Sequence, residues 1–219
     1  MRSLLWRKLF FQGAKPSFDK AELKRYLHIY EEAVLLQTCQ LDEPIQVDRF
    51  LQYLSSQHPI LFHGTNAAEI QEFVPRPQTL YTGQMTEAVF ATSDGIWPIF
   101  YAVFNRKKLN VNFRNGCIES GDQRYYFFSL SEETYHNDPW CDGAVYVLPR
   151  ESFKKQGKGL LNFDEWISLE PVKPLFQIRV KPSDFAYLHK VSKHCSAECI
   201  LKTWFMCKFR VEKREHTST

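Results

Sequence analysis

An α+β fold is predicted for this chain by three observations. Residues 17 to 57 carry the 3.6-residue apolar periodicity of two helices. From residue 59 onward the pattern changes to short strand-like segments with few helices between them. No Gly-x-Gly-x-x-Gly and no Walker loop introduces a wound parallel sheet. The 219 residues, 44% apolar and 15% aromatic, suit one generous domain with a real core. The expected division is an N-terminal helical segment over 1–57, a main domain over 58–212 and a polar tail over 213–219. A helical lead-in of roughly 55 residues is too small for a core of its own and must pack on the main domain.

Met1 to Gly13 is basic and amphipathic, and Arg7 and Lys8 interrupt its apolar run, which makes it a poor secretory signal. It reads as a docked segment, with a peripheral membrane contact as the sharper alternative. Residues 17–39 read as a helix that opens on an Asp19/Glu22 capping box after Pro16. Its stripe is Leu23, Tyr26, Leu27, Tyr30, Ala33, Val34 and Gln37. A second helix begins after Asp48, turns Phe50, Leu51 and Leu54 inward and stops by Pro59. Ile60 to His63 and Ala88 to Thr92 are strands, and Gly95 to Phe104 is helical with Pro98 in its first turn. Further strands are expected at 123–130, 143–148, 166–169 and 175–180. Lys181 to Asp184 makes a turn that returns Phe185 to the core, Thr203 to Val211 reads as a last strand, and Glu212 to Thr219 as tail.

A net charge of +3, from 28 basic and 25 acidic residues, is too mild to signal nucleic acid. Short basic patches at Arg106–Lys108, Lys154–Lys158 and Lys208–Arg214 read as solvated faces. No apolar run reaches the roughly 18 residues of a transmembrane segment. Six cysteines without a signal peptide argue for reduced thiols and a cytoplasmic setting. His189, His194, Cys195 and Cys199 are zinc-competent types, but their spacing matches no common finger, so no metal is assigned. Ser129 and Ser131 near His136 and Asp138 lack nucleophile-elbow glycines, and Cys141 reads as a buried thiol.

Three segments remain that can carry chemistry: Leu61-Phe62-His63-Gly64-Thr65, Val89-Phe90-Ala91-Thr92 leading into Ile96 to Phe104, and Asp164-Glu165-Trp166-Ile167-Ser168. In type and order they resemble the NAD-binding core of the ADP-ribosyltransferase superfamily, over about residues 59 to 186. Poly(ADP-ribose) polymerases and rifamycin ADP-ribosyltransferases have a His-Gly-Thr or His-Gly-Ser strand and then a Tyr-Phe-Ala strand followed by a helix. The polymerases add an Asn-Glu-Tyr-Ile-Val segment. The resemblance implies an ADP-ribosyltransferase-like split β-sheet and NAD as co-substrate. It implies that His63 bonds a ribose hydroxyl of the adenosine half, that the Gly64 backbone meets the nicotinamide carboxamide and that Thr65 braces the turn. It makes Glu165 the catalytic carboxylate, holding the 2′-hydroxyl of the nicotinamide ribose and stabilising an oxocarbenium-like state.

One departure is plain. The family tyrosine that stacks under nicotinamide aligns with Val89, which cannot stack. The candidate rings are Phe90, Tyr101 (or Phe100) and Tyr81 in the loop before. Each assignment has a structural rival: a semi-buried His63, a strand-edge Glu165, Glu170 as competing acid, Asp164 as a turn residue and Tyr101 as core. The expected activity is transfer of ADP-ribose from NAD to an unidentified acceptor with loss of nicotinamide, a glycosyltransferase reaction. Phe163, two residues before Glu165, offers no hydrogen bond and argues against an arginine acceptor. The alternatives are an NAD-dependent RNA 2′-phosphotransferase on the same fold and a non-catalytic nucleotide- or partner-binding module.

Overall fold

The computed structural model describes residues 2–42, 44–67, 69–80, 83–156 and 162–217. The N-terminal segment contains helix α1 (Arg2–Leu9), strand β1 (Phe11–Gln12), α2 (Lys20–Leu36), β2 (Thr38–Cys39) and α3 (Val47–Gln57). Asp19 caps α2 by accepting from Ala21 N and Glu22 N at 2.8 Å, while Glu22 accepts from Asp19 N, so the capping box is closed. Only part of the α2 stripe is buried. Tyr26 and Ala33 enter the core, whereas Leu27 and Val34 stay exposed.

The remaining elements are mostly strands. β3 (Ile60–Thr65), β4 (Arg76–Thr79) and β5 (Met85–Ala91) precede α4 (Trp97–Val103); β6 (Phe113–Ser120) and β7 (Gln123–Ser131) form a hairpin before the short α5 (Glu132–His136). Next come β8 (Gly143–Pro149), β9 (Lys154–Lys155), β10 (Asn162–Phe163), β11 (Trp166–Ser168), β12 (Phe176–Val180), β13 (Ser192–His194) and α6 (Ile200–Thr217).

These strands form three sheets. The first runs β1-β7-β6-β10, with β13 parallel to the far end of β7; the second runs β4-β5-β11-β9; the third runs β2-β12-β8-β3. The architecture is a mixed helix-and-sheet one, as expected. Alternation along β3 and β8 places two cores on opposite faces of the third sheet. Ile60, Phe62, Val145 and Val147 face the main core with Phe50, Leu54 and Phe100. Leu61, Ala144, Tyr146 and Leu148 face a smaller core with Phe73, Val89 and Trp166.

Among the segments that differ from expectation, two shape the core. Residues 203–211 are not a strand but the middle of α6, and helix continues to Thr217 through most of the segment that reads as tail. Thr203, Cys207 and Val211, four residues apart, are the positions α6 buries, and it lies on β13 and β7. The sequence pattern does not predict β6, because Phe113 to Ser120 mixes apolar and polar residues with a glycine. That glycine, Gly116, is where the Phe163 and Phe127 rings press: an added Cβ would lie 2.4 Å from Phe163 Cε1.

Candidate functional site

Among the described residues the second and third sheets meet at one bridge, Phe62 with Thr92. Phe62 N donates to Thr92 O at 2.8 Å and Thr92 N to Phe62 O at 3.0 Å, and beyond this pair β3 and β5 part. A cavity of about 290 Å³ lies at the fork. Phe62, His63 and Gly64 of β3 line it with Phe90, Ala91 and Thr92 of β5. Trp97, Pro98 and Tyr101 of α4 contribute, and Arg106, Phe113 and Glu165 complete the wall beside Gln78 and Thr79 of β4.

His63 is half-buried, and its Nδ1 lies 2.7 Å from the Phe90 carbonyl oxygen. A carbonyl only accepts, so Nδ1 carries the proton and the neutral ring leaves Nε2 as an acceptor. Burial lowers the His63 pKa below its ordinary 6.5; the Phe90 bond opposes the shift, and Arg106 and Arg76 add to it. The Phe73 ring, 4.7 Å away, packs against the imidazole. His63 is thus a neutral, oriented acceptor.

Gly64 has a structural task that explains its missing side chain. A Cβ there would lie 1.7 Å from the Pro98 carbonyl oxygen and 3.0 Å from Ala102 N. Gly143, at the start of neighbouring β8, is in the same position: its Cβ would meet Ala102 O at 2.0 Å. The two glycines let α4 lie directly on the sheet, so helix packing, not ligand approach, demands them. Thr65 is not part of the cavity wall; its Oγ1 accepts from Ala67 N at 3.1 Å and braces the turn.

Phe90 turns into the cavity while Val89 and Ala91 turn into the smaller core. Val89, where the resemblance expects a tyrosine, therefore removes no ring from this cavity. Tyr101 lines it as well, whereas Phe100 is fully buried against Phe104 and Phe128. Tyr81 lies outside the described residues. Burial raises the Tyr101 pKa, and the Glu165 charge adds to that, which keeps a neutral hydroxyl at the wall.

Glu165 and Asp164 are the two residues by which the chain leaves the first sheet at β10 and joins the second at β11. Glu165 is 9% exposed and lines the cavity. Its backbone is held on both sides, Glu165 N donating to Phe163 O and Gln156 N donating to Glu165 O, each at 2.8 Å. Glu170 stands exposed in the turn after β11, its backbone bonded to Ser168, and does not reach the cavity.

Asp164 is not a surface turn residue but the hub of a buried polar network. Its carboxylate accepts from Thr92 Oγ1 at 2.9 Å, from Ser93 Oγ, from Trp166 Nε1 at 2.9 Å and from Arg124 at 3.1 Å. Arg124 also meets Asp94 at 3.3 Å, and the Tyr126 hydroxyl donates to Asp94 at 2.5 Å. Asp94 in turn accepts from Ile96 N and Trp97 N, holding the start of α4. Burial alone would lower the Arg124 pKa, but Asp94 and Asp164 outweigh it and raise it. The network thus ties the crossover bearing Glu165 to the end of β5 and the helix bearing Tyr101.

Sequence patterns miss Arg106, Trp97 and Phe113. The basic run 106–108 reads as a solvated patch; the Arg106 guanidinium instead lies 5.4 Å from the Tyr101 ring centroid at the cavity rim. No acidic residue among the described ones pairs with it. Trp97 Nε1 donates to Asn115 Oδ1 at 2.6 Å, which fixes the indole across from β6.

Other candidate groups do not assemble. His194 is buried with both nitrogens engaged, Nδ1 with Ser129 Oγ at 2.8 Å and Nε2 with Asn112 Oδ1 at 2.5 Å. Among the described residues no three His, Cys, Asp or Glu side chains gather as a metal site, and all six cysteines are unpaired. A larger depression of about 560 Å³ lies near Cys39, Asn66, Asp142 and Arg179, and no aromatic ring among the described residues lines it. No helix among the described residues is long and apolar enough to cross a membrane. No protein-family model, no curated protein and no solved structure matches this chain.

Proposed function

We propose that this cavity binds the nicotinamide end of NAD, and that the protein transfers ADP-ribose to an acceptor on an ADP-ribosyltransferase-like split sheet. The observation that carries the reading is the convergence on one cavity of His63, on β3 of the third sheet, and Glu165, on the crossover from the first sheet to the second. The chemistry of the lining supports it. Phe90 and Tyr101 offer ring faces to a flat heterocycle, His63 offers an acceptor for a hydroxyl, and Arg106 offers a cation at the rim. A volume near 290 Å³ is at the small end of ligand pockets, which suits a nucleoside-sized group with the rest of the dinucleotide outside.

In the reaction the bond between the ribose C1′ and the nicotinamide nitrogen breaks, and its electron pair returns to the pyridine ring. Positive charge develops on the ribose ring, and the Glu165 carboxylate stabilises it. The acceptor's lone pair then closes on C1′ and its proton passes to water. The leaving nitrogen was cationic, so no general acid is required. Arg106 suits the pyrophosphate of the same ligand.

Nicotinamide release from NAD by the purified chain tests this. Turnover that Glu165→Gln abolishes supports transferase chemistry; tight NAD binding with no release supports a non-catalytic module; no NAD binding refutes the reading.

A further inference from the structure

We propose that the paired terminal helices form a docking face for an anionic phospholipid bilayer. α6 buries Thr203, Cys207 and Val211, so its opposite side faces solvent, and that side presents Leu201, Phe205 and Phe209 at i, i+4 and i+8. They are 57%, 61% and 55% exposed, a ridge of three large apolar side chains that no described element covers. The ridge is about 12 Å long at the rise of an α-helix.

α1 extends the face. Lys208 Nζ donates to Arg7 O at 2.8 Å, and the Phe10 and Trp204 rings meet edge to face, so α1 lies antiparallel against α6. α1 adds the half-exposed Leu5 and the exposed Arg7 and Lys8. Lys202 and Lys213 border the ridge on α6, both exposed.

Charge selects the partner. The sequences of α1 and α6 hold eight basic and two acidic residues, a formal +6, whereas the whole chain is +3. Glu198, just before α6, pairs with Arg210 and lies 3.8 Å from Lys202, and Glu212 lies 3.6 Å from Lys208; with Glu198 counted the two helices keep a formal +5, and the rest of the protein is net acidic. Rings at the centre of a face with lysines at its border match the interfacial mode, in which apolar groups enter the headgroup boundary and cations meet anionic lipid. Nucleic acid would use the cations and leave Phe205 and Phe209 without a role.

Sedimentation of the full chain with vesicles tests the proposal. Binding is expected to phosphatidylcholine vesicles containing phosphatidylserine, not to phosphatidylcholine alone, and is expected to fall with added salt. Phe205→Ser with Phe209→Ser should weaken it about tenfold, as should Lys202→Gln with Lys213→Gln. All four positions are exposed, so melting temperatures should match the parent and separate lost binding from lost folding. Absent sedimentation, or equal binding to neutral vesicles, overturns the proposal. So does a stable dimer that the Phe exchanges dissociate, or nucleic-acid binding in place of vesicle binding that those exchanges leave unchanged.

Discussion

His63 Nδ1 sits 2.7 Å from the carbonyl oxygen of Phe90, across the gap where β3 and β5 separate. This bond sets the imidazole tautomer and spans the mouth of the fork. One residue on β5 thus supplies an orienting carbonyl to His63 and a ring to the cavity. The division of roles between His63 and Glu165 rests on it.

His63→Ala should raise the Kd for NAD about tenfold, the worth of one oriented hydrogen bond, with a smaller effect on kcat. Glu165→Gln should lower kcat of nicotinamide release about 100-fold or more while leaving Kd near the parent value. Binding titrations beside steady-state kinetics separate the two. Equal losses in both parameters for both variants would contradict the assigned roles.

Placing a tyrosine where the resemblance to ADP-ribosyltransferases expects one should not help. Val89 is 3% exposed in the smaller core with Leu61, Phe73 and Trp166, so Val89→Tyr should cost about 1–3 kcal/mol by overpacking. Phe90→Leu should weaken NAD binding and leave stability nearly unchanged. A Val89→Tyr variant with tighter NAD binding would show that the cavity lies on the other face of β5.

Gly64→Ala and Gly143→Ala should each cost about 3 kcal/mol or more, because each added methyl meets a carbonyl of α4 rather than a movable side chain. For a chain this long that lowers Tm by roughly 6–12 °C. Thermal denaturation without ligand reads this. Unchanged melting with lost NAD binding would return the glycine to a purely ligand-contact role.

Asp164→Ala should cost about 3–5 kcal/mol, since it leaves Arg124 and three other donors facing a buried gap. Glu165→Gln, next in the chain, should change Tm far less. Thermal melts of the two variants side by side check this contrast, and a larger loss for Glu165→Gln would reverse the roles assigned to these neighbours.

Stability should fall as pH drops from about 6.5 to 4. Burial, then Arg114, lowers the His194 pKa from 6.5 to about 4, and Arg210 acts in the same direction. Burial shifts His63 in the same direction. Between those pH values the unfolded imidazole takes a proton that the folded one refuses, so protonation favours unfolding there and not above 6.5. Glu198, held near 2 chiefly by its Arg210 hydrogen bonds, contributes its loss only below 4.5. Melts at pH 7.5 and 5 should show the first loss, and His194→Gln should shrink it; greater stability at pH 5 would contradict the assignment.

The residues themselves determined which segments are helix and strand wherever the pattern was long or capped: α2 behind Asp19, α3 with Phe50, Leu51 and Leu54, β7, and the apolar β8. The order of His63, Phe90, Tyr101 and Glu165 was also legible, because side-chain type and spacing are local properties. Three matters were decided only by the tertiary structure. Whether Phe90 or Val89 faces the cavity depends on which side of β5 meets the smaller core, and alternation by itself does not say which side is inside. Residues 203–211 read as a strand in the sequence and are helix in the structure, because β13 and β7 present a surface that positions four residues apart can cover. Asp164 resembles any loop aspartate until Thr92, Ser93 and Arg124, 40 to 72 residues distant in sequence, are folded around it. Long-range contacts select among local patterns that are nearly equal in energy, and such contacts exist only once the sheets have joined.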